Sequence, residues 1–167
     1  MRVLITGATS GIGLQLATDF LEDGDFVHCC GRNSASLDLL STKYRDHSET
    51  HSFDAAILTE VKDSLQQLGE LDAIILNAGT CEYINALQFD AEVFERVMRT
   101  NCIGIANCLQ VLIPKIKSGG IIGLMGSSSS YLPLPRAEAY GASKAAIEYL
   151  SRTLQISLKS ADIHVSY

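Results

Sequence analysis

Tyr140 and Lys144 stand four residues apart in the stretch EAYGASKAA (138–146), so on a helix they share one face. A free phenol is a poor base at neutral pH because its pKa lies near 10. A lysine cation ~5 Å away, at an effective dielectric of ~20, stabilises the phenolate by about 3 kcal/mol. At about 1.4 kcal/mol per pKa unit this lowers the phenol by roughly two units, enough for a tuned acid/base. Of the six tyrosines, only Tyr140 has a lysine four residues on. Taken alone, the pair reads equally well as a solvated surface contact, so its meaning rests on the rest of the chain.

A second chemistry-bearing stretch is TGATSGIG (6–13), with Gly7, Gly11 and Gly13 directly after the apolar run RVLIT. A glycine turn between a strand and a helix lets the backbone approach a pyrophosphate, and free N–H groups of the first helical turn point at its oxygens. The turn as a whole, Thr9, Ser10 and Ile12 included, is the expected cofactor-binding segment. Its spacing is GxxxGxG, which also suits a turn that merely closes a tight connection. After the second apolar run come Gly31, Arg32 and Asn33, and no acidic residue occurs between Cys30 and Ser36. An acidic side chain there would accept from a ribose 2′-OH, whereas an arginine pairs with a 2′-phosphate, so NADP(H) is favoured over NAD(H). The plain alternative for Arg32 is a solvated loop arginine.

These groups need a scaffold, and the chain supplies one. Strands are expected at 2–6, 26–31, 50–53, 72–79, 119–126 and 162–167, and helices at 13–24, 34–44, 58–69, 90–117 and 137–159. Pro114 is expected to kink or end the long fourth helix. Regular alternation of helices with strands apolar on both faces predicts an α/β fold, a doubly wound parallel sheet in one domain. The apolar stripe Ile147, Leu150, Leu154 and Leu158 is either core or partner-facing helix surface.

Composition excludes several classes. With 167 residues, 47% hydrophobic and 19% charged, the chain is a globular mixture large enough for a core. A net charge of −6 without a basic block argues against nucleic acid, and no apolar run approaches membrane-spanning length. Five cysteines without CxxC spacing and four histidines without HExxH spacing predict neither disulfides nor a metal site. A reducing, cytoplasmic location is the expectation, with no leader layout before Val3.

Read together and in order, these stretches resemble the short-chain dehydrogenase/reductase family. TGATSGIG matches its TGxxxGIG turn, NAG (Asn77, Ala78, Gly79) the element after its fourth strand, and YGASK its YxxxK pair. Asn101 in TNCIG stands where the family has its catalytic asparagine, and Ser127 lies thirteen residues before Tyr140. The resemblance implies a hydride-transferring oxidoreductase acting on a carbonyl or secondary alcohol. Tyr140 would be its acid/base and also contact the cofactor, Lys144 would tune Tyr140 and bind the nicotinamide ribose, Ser127 would donate to the substrate oxygen, and Asn101 would hold a water in a proton relay. Ser128 is the substitute for Ser127 if the strand end is shifted by one. Asp54 and Ala55 would border the adenine, and Asn77, Ala78 and Gly79 would line the cleft. For Asn101 the plain alternative is a bond to backbone within a helix, and for Ser127–Ser130 a flexible polar loop. Ser10 departs from the family's second basic marker for NADP(H).

The resemblance further implies a homo-oligomer, dimer or tetramer. Family members usually continue through a PG turn, a substrate-covering segment, another helix and a seventh strand, so the C-terminal portion of that fold is expected to be missing after the sixth strand. The competing expectation is a dinucleotide-binding protein without turnover, or an inactive fragment. Substrate identity is not encoded in these motifs.

Overall fold

The computed structural model describes residues 1–167. Six parallel strands lie in the order β3-β2-β1-β4-β5-β6, formed by β1 (Arg2–Thr6), β2 (Phe26–Gly31), β3 (Ser48–Ser52), β4 (Leu71–Leu76), β5 (Ile116–Leu124) and β6 (His164–Ser166). The pleat sends alternate side chains to opposite faces. Val3 and Ile5 of β1 therefore join one core with α1 (Gly11–Glu22) and α2 (Ser34–Lys43), whereas Leu4 joins another. That second core takes Val61 and Leu65 from α3 (Leu58–Leu65), Leu109 and Leu112 from α5 (Gly104–Leu112) and Ile147 from α6 (Glu138–Ser157). Leu150, Leu154 and Leu158 pack against it, so the stripe on α6 is core. No helix is long and apolar enough to cross a membrane.

Several boundaries differ from those expected, each for a pairing reason. β3 starts two residues early, at Ser48, because its ladder with β2 begins at Val27↔Ser48. β4 stops at Leu76 instead of Gly79, since the Asn77 side chain and the Ala78 amide turn to bond Thr6. β5 starts at Ile116 and carries an irregularity in its register with β4, where Gly119 has φ +79° and the Gly119 amide donates to Asp162 O. A bulge of this kind lets a strand continue past a glycine pair that reads as its beginning.

The segment expected as one long helix is broken. Asp90 caps α4 (Ala91–Met98) by accepting from the Glu92 and Val93 amides. A five-residue π turn, Arg99–Ile103, then leads into α5, and Pro114 sits in a closing 3₁₀ turn, Ile113–Lys115. The wider π turn admits one extra residue per turn and so re-aims the side chains inside it. Asn101 lies in that turn.

Candidate active site

The glycine turn is built on close contacts. Gly7 and Gly11 adopt φ of +71° and +53°, the left-handed region that glycine enters freely. A Cβ on Gly13 would lie 2.3 Å from the Gly7 carbonyl oxygen and 2.4 Å from Asn77 Nδ2, so helix α1 sits directly on the turn. A Cβ on Gly11 would meet nothing within 4 Å. The turn is thus packed beneath and open above, at the N-terminus of a twelve-residue helix whose first N–H groups have no helical acceptors. Those features fit a diphosphate.

Thr6 is buried and ties the turn to the next strand. Its hydroxyl accepts from the Ala78 amide at 3.1 Å, and its carbonyl accepts from Asn77 Nδ2 at 3.2 Å. Thr9 covers Gly31, where any Cβ would lie 2.6 Å from Thr9 Cγ2. The result is a cleft of about 280 Å³ at the C-terminal ends of the strands. Gly7, Thr9 and Ser10 line it from the turn, Arg32 from the end of β2, and Asp54, Ala55, Ala78 and Gly79 from the next two strand ends. Ile12 is exposed at the start of α1, while Gly11, Gly13 and Asn77 support the turn without lining the cleft.

Arg32 Nη1 lies 3.6 Å from Asp54 Oδ2, with the arginine side chain 73% exposed. A pair so long and so exposed contributes at most about 1 kcal/mol, so the guanidinium is free to turn to another anion. Asp54 is itself held in place, its Oδ1 accepting from the Ala56 amide. Asn107 Nδ2 donates to Ala55 O at 2.9 Å, which fixes that loop against α5.

Helix α6 presents Tyr140 half-buried and Lys144 only 4% exposed, which excludes a solvated surface pair. Lys144 Nζ donates to Met125 O at 2.7 Å and lies 5.6 Å from the centre of the Tyr140 ring. Burial pushes the Lys144 ammonium below the ordinary lysine range, and Cys102 counteracts part of that. Ser127 opens a 3₁₀ turn, Ser128–Ser130, that follows β5, and its hydroxyl accepts from the Ser129 amide at 3.2 Å. Ser127 is half-buried and Ser128 exposed.

Asn101 is buried, and both ends of its amide are engaged. Oδ1 accepts from the Thr80 amide at 2.8 Å, and Nδ2 donates to Thr80 O and to Ser143 Oγ, each at 2.9 Å. Ser143 Oγ in turn donates to Tyr140 O at 2.7 Å. The side chain thereby links the loop after β4 to the Tyr140 turn of α6. Gly79 packs against it, since a Cβ there would lie 3.2 Å from Asn101 Oδ1.

Three further residues escape sequence reasoning. Ser143 carried a signal, as a polar residue beside Lys144 on a helix face that has to be buried. Thr6 closes the apolar run RVLIT and reads only as strand. Tyr167 carried none: its hydroxyl accepts from the Ser127 amide at 3.3 Å and donates to Lys144 O at 3.2 Å, and its ring covers Gly126. The two groups of candidates also occupy separate places, because Tyr140, Lys144 and Ser127 do not line the cleft, although Thr100, beside Asn101, does.

Known proteins resemble the chain in sequence and in fold. The chain is 31% identical over 97% of its length to chlorophyll(ide) b reductase NOL of Arabidopsis thaliana, spanning 51% of that protein. It is 30% identical over 89% of its length to the (S)-benzoin-forming benzil reductase IRC24 of Saccharomyces cerevisiae, spanning 62% of it. Its fold superposes on the closed form of serine dehydrogenase complexed with NADP+ with a TM-score of 0.92 at 26% identity, covering 98% of this chain and 68% of the other. The short chain dehydrogenase pattern matches residues 1–167, and with it the chain belongs to the short-chain dehydrogenase/reductase family.

Proposed function

We propose that this chain carries the cofactor-binding and catalytic residues of an NADP(H)-dependent oxidoreductase acting on a carbonyl or secondary alcohol of a small molecule. The observation that carries the reading is a buried lysine cation on the helix face of Tyr140, one turn away and 5.6 Å from its ring. The bound nicotinamide would supply or accept the hydride. The turn from Gly7 to Gly13 holds the diphosphate, Asp54 and Ala55 border the adenine, and Arg32 takes the 2′-phosphate. Asn77, Ala78 and Gly79 form the opposite wall.

Tyr140 gives its phenolic proton to the substrate oxygen in reduction and takes it back in oxidation. Lys144 lowers the cost of the phenolate through its charge, acting in a partly dry setting where that charge counts for more than in water. One of its N–H groups is committed to Met125 O, which leaves two for the ribose and for a proton path. Ser127 donates to the substrate oxygen as charge develops there. Asn101 acts by position, keeping the Tyr140–Lys144 turn against the wall of the cleft. The exposed Tyr149 and Ile156 on the outer face of α6 support assembly with a second copy.

Support for a carbonyl substrate comes from the two relatives, both named as reductases, and for NADP(H) from the NADP+-bound serine dehydrogenase. Tyr140→Phe tests the mechanism. Oxidation of NADPH with a panel of ketones and aldehydes is expected to fall roughly 10²- to 10⁴-fold, the usual worth of a positioned acid. NADPH affinity, read by its fluorescence, is expected to stay within about twofold, the outcome expected of a hydroxyl that acts chiefly in the transition state. An unchanged rate would remove Tyr140 from the chemistry. NADPH binding by the parent protein without turnover of any carbonyl would replace the proposal with a non-catalytic dinucleotide-binding protein.

A further inference from the structure

β2 and β3 carry a polar cluster that the cleft does not use. His28 interrupts the apolar run of β2, and the ladder places it opposite Glu49 of the edge strand β3. His51 follows Glu49 by two residues, so the pleat turns all three side chains to the face covered by α3. His28 Nδ1 and His51 Nε2 lie 3.1 Å apart. Glu49 Oε2 lies 3.4 Å from His28 Nδ1, and Glu49 Oε1 lies 3.8 Å from His51 Nε2. The side chains of His28 and His51 are 4% and 8% exposed, whereas that of Glu49 is 54% exposed.

A tetrahedral ion with ligand bonds of ~2.0–2.1 Å holds its donors about 3.3 Å apart. The His28–His51 and His28–Glu49 Oε2 separations of 3.1 and 3.4 Å lie close to that value. One donor atom from each of the three residues falls within 4.8 Å of the others, so a small turn of the exposed Glu49 carboxylate completes a set of two imidazoles and one carboxylate suited to Zn²⁺. The exposed carboxylate gives an entry path and leaves the fourth position to water. We propose that His28, Glu49 and His51 form a Zn²⁺ site that clips the edge strand β3 to β2. The site is separate from the cofactor cleft and independent of the proposed reaction. Its ion adds to the ladder a tie between two neighbouring strands, on a strand whose sequence, SETHS, has little apolar surface to bury.

The competing state is a plain hydrogen bond between two neutral rings, which needs no ion. Zinc titration of chelator-treated protein at pH 7, by calorimetry with a competing chelator, separates the two. The expected result is one saturable ion per chain and a higher thermal midpoint with Zn²⁺. Co²⁺ in its place is expected to give the visible absorption of a four-coordinate ion. Glu49→Gln, at an exposed position that leaves the fold intact, is expected to weaken binding at least tenfold. His51→Gln is expected to abolish it, and His164→Gln on β6 to leave it unchanged. Absence of a saturable one-per-chain site in the parent protein would overturn the proposal. So would a site that survives Glu49→Gln at full affinity, a result that stands even if His51→Gln fails to fold.

Discussion

Gly11 and Gly13 sit two residues apart in one turn and carry different loads. At Gly13 the obstacle is the molecule itself, because the Cβ of an alanine would stand 2.3 Å from a carbonyl oxygen of the same turn. Gly13→Ala therefore forces helix α1 away from Gly7 and Asn77 and is expected to cost about 3 kcal/mol of stability, the upper range for overpacking. At Gly11 the surroundings are open and only the backbone objects, since φ of +53° costs a non-glycine residue about 1 kcal/mol. On the proposed binding of a diphosphate at this turn, the new methyl would nevertheless stand on the turn's open side. Gly11→Ala is expected to weaken NADPH binding at least tenfold with a stability loss near 1 kcal/mol. Urea unfolding and fluorescence titration of both variants check the contrast, and equal effects on both quantities would contradict it.

Elements were legible by type and less so by their ends. The alternation of apolar runs and helical periodicity marked every strand and every helix except the break between α4 and α5, because burial leaves its trace in residue type. Ends are set by partners instead. Leu76 closes β4 because Asn77 and Ala78 are claimed by Thr6, seventy-odd residues earlier in the chain. The π turn at Arg99–Ile103 left no mark at all, since an i→i+5 turn needs no special residue and RTNCI reads as ordinary helix. Yet that turn aims Asn101 into the interior, where its amide joins Thr80 and Ser143. Asn101→Ala strands the half-buried Thr80 amide and carbonyl and the buried Ser143 hydroxyl and is expected to cost about 1–3 kcal/mol. It should also speed hydrogen exchange at the Thr80 amide far more than at amides of β1. Slow exchange at Thr80 in the variant would mean that the loop is held by something other than Asn101.

At the scale of the whole molecule, the sheet order turns back at β1 and β4, and the cleft lies at the carboxyl ends of those strands, where α/β sheets bind nucleotides. The clustering of the expected cofactor residues at one cleft was readable because the glycine turn, Arg32 and the NAG segment each follow a strand end. The links that organise the other side, through Ser143, Thr6 and Tyr167, depend on contacts across the fold and were not. Among the cleft's residues Arg32 is the one cation, on a chain whose net charge is −6, and its pairing with Asp54 is loose. A 2′-phosphate offers that guanidinium a stronger and shorter charge-assisted partner than Asp54 does. NADPH at a hundredfold excess over its Kd is expected to stabilise the folded protein by about 2.7 kcal/mol. Arg32→Ala is expected to lower NADPH affinity about tenfold, removing about 1.4 kcal/mol of that gain at the same concentration, and to leave NADH stabilisation unchanged. Thermal midpoints with each dinucleotide measure the difference. Equal losses with NADPH and NADH would mean that Arg32 steers anions to the cleft without reading the phosphate, and cofactor choice would then have to reside in Ser10 and Asn33 at its rim.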